Sequence, residues 1–571
     1  MQQVISMKSG RKIPSLAQWK ELPRFMSTGE KRLVSIALLI ALTTGVSAAL
    51  HEGSQKISWT PAAGGSYTEG LAGTPRLVNP LYASLNDVDA DLTRLVFSGL
   101  MAYEPGVGVV PDIAESVSVS EDGKIYTTTI RQDATWHDGE PITANDVYFT
   151  VTAAQNPAYN SPLITQFTGV TVEATADRIV TFTLPEPRAD FLNALTSGLL
   201  PAHLWSDIPA QNATRVALNL KPVGNGPYMF EKITTDSKGN IRAITLKRNP
   251  NAVKETNISN LTFKFFFDST ELADALRNRN IEGAAGLEQL ESLKFQNDKN
   301  VTLINVPTSR YVAAFINLKT TSALKELDVR KALTLATDRT ALVTQAKDGQ
   351  ATAHASIILP GMFDQAANPG VANPAQAATT LELAGWKMGE NGVRSKDSVE
   401  LVLNLVTIDD PELLRVAQTL KEQWSPLGVT VNITPIAPSR LQPDILASRS
   451  FDLLLATTSY GATPNPYLYW HSSQGAYPGL NIAQFSDPEA DAALDALKTA
   501  TTPEETKAQW EVIMQNIEEQ AAAIILYQPT FTYALSASIN GENIPSIITP
   551  SDRFADIESW YARTKPRLKL R

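Results

Sequence analysis

The chain has 571 residues, of which 43% are hydrophobic, and its net charge at pH 7 is -10. It contains five His and no Cys, which excludes a disulfide framework, Cys-ligated zinc or iron–sulfur sites, a thiol nucleophile and a lipoprotein anchor on Cys. A nucleic-acid-binding protein needs a basic face, so the negative charge argues against nucleic acid as a partner. The length predicts roughly three to four domains with a large core.

The N-terminal residues predict a segment that enters the membrane. Residues 1–32 form a basic leader with seven basic and two acidic side chains, a net charge of +5. Residues 33–50 carry no charge, and as a helix they would span roughly 27 Å, close to the hydrocarbon thickness of a bilayer. The basic flank should keep the N-terminus in the cytoplasm. We therefore predict a single-pass anchor in the cell membrane; a cleaved signal peptide, with residues 46–48 as the cleavage site, stays open.

The exported part begins with a short linker, residues 51–65, and carries a net charge of -15. Apolar spacing predicts an amphipathic helix near residues 86–101, and alternation predicts a half-buried strand at 124–131. Thr143 is expected to cap a further helix. The basic C-terminal tail is expected to be a solvated end; its basic residues are Arg563, Lys565, Arg567, Lys569 and Arg571.

The clearest fold pattern lies between residues 399 and 461. An almost continuously apolar strand at 399–407 precedes a helix with Asp410 as its N-cap, and Gly428 ends this helix. Further strands follow at 429–436 and 451–457. The pattern predicts a βαβ unit on a parallel sheet, and with it an α/β fold.

An aromatic segment, residues 460–477, follows the last of these strands. Ligands of open α/β sheets bind beyond the carboxyl ends of strands, so this segment is the first candidate site. Its rings suit either a recognition surface for an organic ligand or a packed core, and the residues alone leave both interpretations open. His471 is the one His that we leave open as a functional group. The rings belong to Tyr460, Tyr467, Tyr469, Trp470 and Tyr477.

Motifs for catalysis are missing from the sequence. There is no GxSxG, HExxH, GxxxxGK[ST] or EF-hand pattern. The pair Glu504-Glu505 lies at a predicted helix start, where negative charge suits the helix dipole. His137-Asp138 has no accompanying nucleophile and is expected to form a structural turn. We predict no catalytic residue, no metal ligand and no cofactor, and hence a protein that is not an enzyme.

Several segments together match the pattern of one protein family. Residues 95–151 closely resemble the hallmark block of the family 5 bacterial solute-binding proteins, the oligopeptide- and dipeptide-binding proteins of ABC transporters. The similarity runs from residue 66 to residue 560. Its other motifs are RLVNP at 76–80, PVGNGPY at 222–228, DVRKA at 328–332, ATDR at 336–339 and LAGW at 383–386.

The resemblance implies a two-lobe periplasmic-binding-protein fold of type II, preceded by the transmembrane helix. Lobe I with an inserted subdomain would occupy residues 66–305, lobe II residues 306–525, and a return to lobe I with the basic tail residues 526–571. Crossovers are expected near 306–311 and 526–530. The expected monomer would close around a peptide or similar oligomeric solute and deliver it to the permease and ATPase subunits of an ABC importer.

The resemblance also implies a set of ligand-binding residues. Peptide-binding members hold the peptide amino terminus with an aspartate, and Thr463 occupies that position here. A neutral hydroxyl cannot pair with an ammonium, and losing a charge-assisted hydrogen bond costs about 1.5–3 kcal/mol. Blocked peptides, peptides in another register and oligosaccharides therefore stay open as ligands. The expected ligand-binding residues are Val78 and Asn79 in lobe I, Tyr311 and Tyr527 at the crossovers, and Tyr460, Gly461, Ala462, Thr463, Asn465, Tyr467 and Trp470 in lobe II.

Two further expectations accompany this set. The backbone groups of Val78 and Ala462 are expected to pair with an extended ligand as strand edges do. The alternatives to an importer subunit are an exported ligand-sensing protein or a hydrolase on the same fold.

Overall fold

The computed structural model describes residues 26–55, 57–104, 107–188, 190–320, 323–437, 440–461, 464–477, 479–500 and 502–568. They form two compact units, one with the chain termini and one running from Ala63 to Ala562. The α-helices are α1 (Thr28–Gln55), α2 (Asp87–Val96), α3 (Ala144–Gln155), α4 (Ile164–Phe167), α5 (Phe191–Ala194), α6 (Ala202–Trp205), α7 (Ser269–Arg277), α8 (Gln289–Ser292), α9 (Leu327–Ala336), α10 (Arg339–Lys347), α11 (Pro374–Leu383), α12 (Pro411–Trp424), α13 (Tyr467–Trp470), α14 (Pro488–Ala496) and α15 (Pro503–Glu519).

The strands include several that are only two or three residues long. They are β1 (Ile57–Pro61), β2 (Ser66–Ala72), β3 (Met101–Glu104), β4 (Gly108–Pro111), β5 (Ala114–Val119), β6 (Ile125–Ile130), β7 (Thr171–Ala176), β8 (Ile179–Thr183), β9 (Tyr228–Thr235), β10 (Ile241–Arg248), β11 (Asn260–Phe266), β12 (Gly283–Ala285), β13 (Val301–Pro307), β14 (Arg310–Ile316), β15 (Ala351–Ala353), β16 (Lys387–Met388), β17 (Arg394–Lys396), β18 (Val399–Glu400), β19 (Val402–Ile408), β20 (Thr430–Ile436), β21 (Leu453–Ser459), β22 (Ala523–Ser536) and β23 (Thr564–Leu568).

The unit with the chain termini contains α1, β1 and β23. Helix α1 includes the predicted span 33–50. No helix within the described ranges is long and apolar enough to cross a membrane. Strand β23 pairs antiparallel with β1, from Ile57 opposite Leu568 to Pro61 opposite Thr564. The C-terminal end is therefore not frayed over residues 564–568, because pairing satisfies their backbone groups, while the side chains of Arg563 and Lys565 are exposed as a solvated end requires.

One sheet runs through the main unit. Its strand order is β20-β19-β21-β14-β22-β12-β2-β11-β10-β9, and β13 and β15 also pair with β22. Strand β22 changes partners along its length: Tyr527 to Pro529 lie opposite β15, and Thr530 lies opposite Pro307 of β13. We call residues 63–307 with 530–562 the first region, and residues 310–527 the second region. Both regions are therefore built on the same long strand.

Each region has its own hydrophobic core. The largest cluster lies in the first region, from Tyr67 to Trp560. The second region has three clusters, and the two larger ones lie on opposite faces of β14, whose side chains alternate between them. Tyr311 and Phe315 belong to one of these clusters, and Val312 and Ile316 belong to the other. Burial on both faces explains the nearly continuous apolar sequence of this strand.

The βαβ prediction is confirmed. Strands β20 and β21 both pair in parallel with β19. The Asp410 carboxylate accepts hydrogen bonds from the backbone N–H groups of Glu412 and Leu413 at the start of α12. The α-helix itself ends at Trp424, four residues before the predicted Gly428; a 3-10 turn over Ser425–Leu427 follows, and Gly428, with a φ of 75°, ends that turn. Strand β19 begins three residues later than predicted, because Val399–Glu400 pairs in a separate three-stranded sheet.

Two helix predictions near the site have different outcomes. The Thr143 cap of α3 is confirmed: the Asp146 carboxylate accepts from the Thr143 backbone N–H at 2.8 Å. Helix α2 starts close to the predicted residue but ends at Val96, five residues early. Phe97 is already extended, with φ -124° and ψ 136°. This early end is what lets a neighbouring loop approach the last turn of the helix.

A buried ion cluster joins three segments of the first region. The Arg553 guanidinium donates to Glu69 Oε1 at 2.8 Å and to Asp91 Oδ1 at 2.9 Å. The arginine and glutamate side chains have no exposed surface. Burial raises the pKa of Asp91 to about 6, against the opposing effect of Arg553. The cluster fixes α2 and the 550–554 turn to β2, and both α2 and that turn line the cavity described next.

Candidate functional site

The first region contains a cavity of about 380 Å³ that extends to Arg310 at the start of β14. Four segments supply most of its wall: α2 with the turn after it, the 196–198 turn, the 225–227 loop and the 549–558 segment. The cavity therefore lies where the first region meets the first strand of the second region. The motif segments 76–80 and 222–228 both reach it, through Pro80 and through Asn225 to Pro227.

Val78 and Asn79 shape the turn that places Pro80 in the wall. Both residues are buried, and the Asn79 amide donates to Asn219 Oδ1 at 3.2 Å while its oxygen accepts from Leu81 N–H at 2.9 Å. The Val78 N–H donates to the Asn219 carbonyl at 3.0 Å. In this conformation the strand-edge pairing expected at Val78 cannot use that N–H.

His137 holds the 224–226 loop against α2. The Gly224 N–H donates to His137 Nδ1 at 3.1 Å, and Nε2 lies 3.1 Å from the Gly226 carbonyl. Since Nδ1 accepts, Nε2 carries the proton and donates, so the ring is neutral. Burial lowers the pKa of His137 to about 4. The expectation of a structural role is met in this way, and Asp138 pairs instead with His203 Nε2 at 2.9 Å.

Glycine is required where this loop touches α2. A Cβ atom on Gly224 would lie 2.0 Å from the Val96 carbonyl oxygen, and one on Gly226 would lie 2.6 Å from the Leu95 carbonyl oxygen. The close approach lets the Gly226 N–H donate to the Val96 carbonyl at 2.8 Å. It uses a carbonyl that the early end of the helix leaves free.

Most of the charged side chains in the wall have partners. The Lys254 ammonium pairs with Glu104 and, at 3.4 Å, with Glu558. Burial alone would lower the pKa of Lys254, but these two carboxylates raise it overall. Arg94 donates to the Tyr103 carbonyl at 3.1 Å.

Four of the five predicted ligand-binding aromatic residues are core residues in the structure. Tyr311, Tyr460 and Trp470 are buried in one cluster of the second region, and the rings of Tyr311 and Tyr460 lie 5.5 Å apart. The Tyr460 hydroxyl donates to the Ile357 carbonyl at 3.1 Å. Of the two interpretations of the aromatic segment, the packed core is the one that holds for its residues Tyr460 and Trp470. Tyr527 is likewise buried, in the cluster on the opposite face of β14.

The rest of the aromatic segment is more accessible. Gly461 is exposed, and the Asn465 side chain accepts from the Tyr467 N–H at 3.0 Å. The half-buried Tyr467 ring stacks on His471 at 4.2 Å, and the Lys498 ammonium lies 3.8 Å from its centre. Ala462 and Thr463, also predicted to bind ligand, lie outside the described residues.

The cavity wall is the part of the site that sequence reasoning missed. Arg94, Lys254 and Arg310 follow no recognisable spacing, because four distant segments bring them together. The available signal was the pair of glycines in the 222–228 motif, whose purpose becomes visible only through the contact with α2. Within the described ranges, no group of three or more His, Asp or Glu side chains could hold a metal ion.

The fold and the cavity define the class of protein. Two α/β regions share one long strand, and the cavity lies at their junction, which is the architecture of a two-lobe binding protein. Residues 108–479 match the family model described as bacterial extracellular solute-binding proteins, family 5 Middle. The chain belongs to this family.

Known relatives agree along nearly the whole chain. The oligopeptide-binding protein AppA of Bacillus subtilis is 26% identical over 559 residues, which cover 93% of this chain and 97% of the relative. The structure of AppA with a nonapeptide superposes with a TM-score of 0.66 over 88% of this chain and 99% of AppA, at 26% identity. The substrate-binding protein CtaP of Listeria monocytogenes superposes with a TM-score of 0.73 over 88% of this chain and all of that one; at 24% identity it shows the fold. These neighbours are two-lobe α/β binding proteins.

Proposed function

We propose that the chain is the extracytoplasmic solute-binding subunit of an ABC importer. It captures a peptide or a similar oligomeric solute between its two regions and delivers it to a membrane permease, without chemical conversion. The observation that carries the proposal is the similarity to an oligopeptide-binding protein over 93% of the chain, motif loops at the cavity included. The nonapeptide complex of AppA supports peptides as the solute class.

The shared strand supports a closing motion. Since β22 exchanges β15 for β13 between Pro529 and Thr530, few backbone connections need to bend for the regions to approach. We place lobe I at residues 66–305, lobe II at 306–525, the return to lobe I with the basic tail at 526–571, and the crossovers near 306–311 and 526–530. A ligand drives closure only by binding the closed state better than the open one.

The proposed binding surface has two sides. The first-region side is the cavity wall, including Pro80 and Asn225. The second-region side is the accessible part of the aromatic segment: Gly461, Asn465 and Tyr467, together with Ala462 and Thr463. The buried predicted residues support these surfaces from behind. Thr463 in place of an aspartate favours a ligand without a free ammonium at this point.

We also propose that residues 33–50 anchor the protein in the cell membrane. The span carries no charge, and within α1 the side chains of Leu33, Ile36 and Leu39 are more than half exposed. The sequence has no Cys to carry a lipid instead. The intact mass of the protein isolated from membranes tests the anchor: an uncleaved chain has 61.9 kDa, whereas removal of a signal peptide would shorten it by about 48 residues.

Calorimetric titration of the full chain in detergent tests the binding function. N-acetylated peptides of six to nine residues should bind and remain intact. Tight binding with unchanged peptides supports an importer subunit. Cleavage of the peptides during the titration would favour the hydrolase alternative, and absence of heat for every peptide and glycan would contradict solute capture.

A further inference from the structure

We propose that Arg310 binds a carboxylate group of the ligand, in the part of the cavity where the two regions meet. This inference rests on the proposed solute-binding function and adds the charge of the group that the site selects. It starts from the position of Arg310, which is the first residue of β14 and part of the cavity wall.

The backbone around Arg310 is held from both regions. The Ser309 N–H donates to the Ile547 carbonyl at 2.9 Å in the first region. The Ser309 carbonyl accepts from the Tyr460 N–H at 2.8 Å in the second region. Arg310 itself lies opposite Ser459 across the β14–β21 pair. A ligand held at Arg310 would therefore touch the junction that has to move when the regions close.

The side chain of Arg310 lines the cavity at the start of β14. Strand alternation sends Tyr311 into a hydrophobic cluster, so Arg310 takes the opposite direction, and it lines the cavity together with Thr549 and Ser551. Its side chain is half-buried. A cation with this placement is accessible to a ligand but already has part of its water removed.

Arg310 lacks the compensation that the other cavity cations have. Lys254 is paired with two carboxylates, and Arg94 bonds a carbonyl and lies 3.9 Å from Asp552. No ion pair or hydrogen bond engages the Arg310 guanidinium within the described residues, and its Nε is buried without a partner. An unpaired buried donor is costly, so a site that keeps one gains when a ligand supplies the acceptor.

The geometry of the group narrows the ligand chemistry. A guanidinium presents parallel N–H donors that match the two oxygens of a carboxylate. The four acidic side chains of the wall make the cavity as a whole unsuited to a polyanion; they are Asp87, Glu104, Asp112 and Glu558. A single carboxylate at Arg310, such as a peptide carboxyl terminus, fits both observations.

The test compares two forms of one peptide pool on the full chain in detergent. The pool holds N-acetylated hexapeptides without Asp or Glu, once with a free carboxyl terminus and once as the C-terminal amide. Wild-type protein should bind the free acids about 10- to 100-fold more tightly than the amides. Arg310→Gln should remove this preference. Arg310→Lys should keep part of it, because the positive charge remains while the two parallel N–H donors of the guanidinium are lost.

Matched measurements separate the possible failures. Arg215→Gln removes an exposed positive charge of the first region outside the cavity and should leave the preference unchanged. Melting temperatures should show that Arg310→Gln is as stable as wild type, because it breaks no ion pair. Equal binding of acids and amides by wild type would overturn the role of Arg310 while leaving solute capture intact. Binding of neither form would contradict both.

Discussion

For two loops of the main unit, the amino-acid composition is a poor guide to whether the loop is accessible to a ligand. The 224–227 loop has two glycines and no aromatic residue, yet it lines the cavity. The aromatic segment 460–477 has five rings, and two of them, Tyr460 and Trp470, are core residues. Accessibility follows from the preceding strand: along β21 and beyond it, Thr458 and Tyr460 are buried while Ser459 and Gly461 are not. The comparison teaches that aromatic content does not identify the accessible residues of a loop; directly after β21 the strand period does, since it turns Tyr460 into the core.

The largest effect on the cavity wall of the first region is expected from the substitution of Arg553. Arg553→Met leaves the buried Glu69 and Asp91 without their cation, and we expect the free energy of unfolding to fall by about 3–5 kcal/mol. Urea denaturation measures the loss. The control, Arg242→Ala, removes an exposed pair with Asp236 and should leave the urea midpoint nearly unchanged, because water screens such a pair. Equal effects of the two substitutions would mean that the buried cluster does not hold the cavity wall together.

A matched pair of glycine substitutions compares the two loops directly. In Gly224→Ala the new Cβ would meet the Val96 carbonyl, and we expect a stability loss of about 1–3 kcal/mol with weaker peptide binding. In Gly461→Ala the Cβ meets no atom within 4 Å, so the melting temperature should stay unchanged. Thermal unfolding and calorimetry give both numbers. A stable Gly224→Ala with normal affinity would show that the loop does not need its close contact with α2.

The pH dependence of stability tests the role of His137 in the cavity wall. Its pKa in the folded chain, about 4, lies below the usual 6.5, so its contribution is complete above pH 6.5 and is lost as the pH falls through 4. The loss amounts to at most about 3 kcal/mol. Urea midpoints at pH 7.5 and 4.5 should differ less in His137→Asn, whose amide oxygen can accept from Gly224 but does not titrate. Parallel behaviour of the variant and wild type would refute this assignment.

The smallest expected effect concerns the packed ring of the second region. Tyr460→Phe removes the hydroxyl that donates to the Ile357 carbonyl and should cost about 1 kcal/mol of stability. Peptide affinity should stay within a factor of two or so, because the hydroxyl is turned into the core. Denaturation and calorimetry on the same preparation check both statements. A tenfold loss of peptide affinity at unchanged stability would show that Tyr460 contacts the ligand after all.

Much of the second region could be predicted from sequence because its signals are local. Asp410 and the apolar period after it predict the helix of the βαβ unit, and the structure confirms the helix and its cap; Gly428 ends the 3-10 turn that follows the helix. The cavity could not be predicted in this way. Arg310 and Lys254 are far apart in the chain. Only the folded structure shows that Lys254 is paired with carboxylates, whereas Arg310 is unpaired within the described residues. The family motifs at 76–80 and 222–228 mark two segments that do reach the cavity, but they do not show which of their atoms are engaged in hydrogen bonds within the protein.

Native mass spectrometry of the full chain, released from detergent after incubation with a peptide pool, tests the central claim most directly. The account predicts a folded 1:1 complex that returns intact peptides when the protein is denatured. Peptides returned as cleavage products, or a chain that never carries a peptide at any pool concentration, would contradict solute capture as its function.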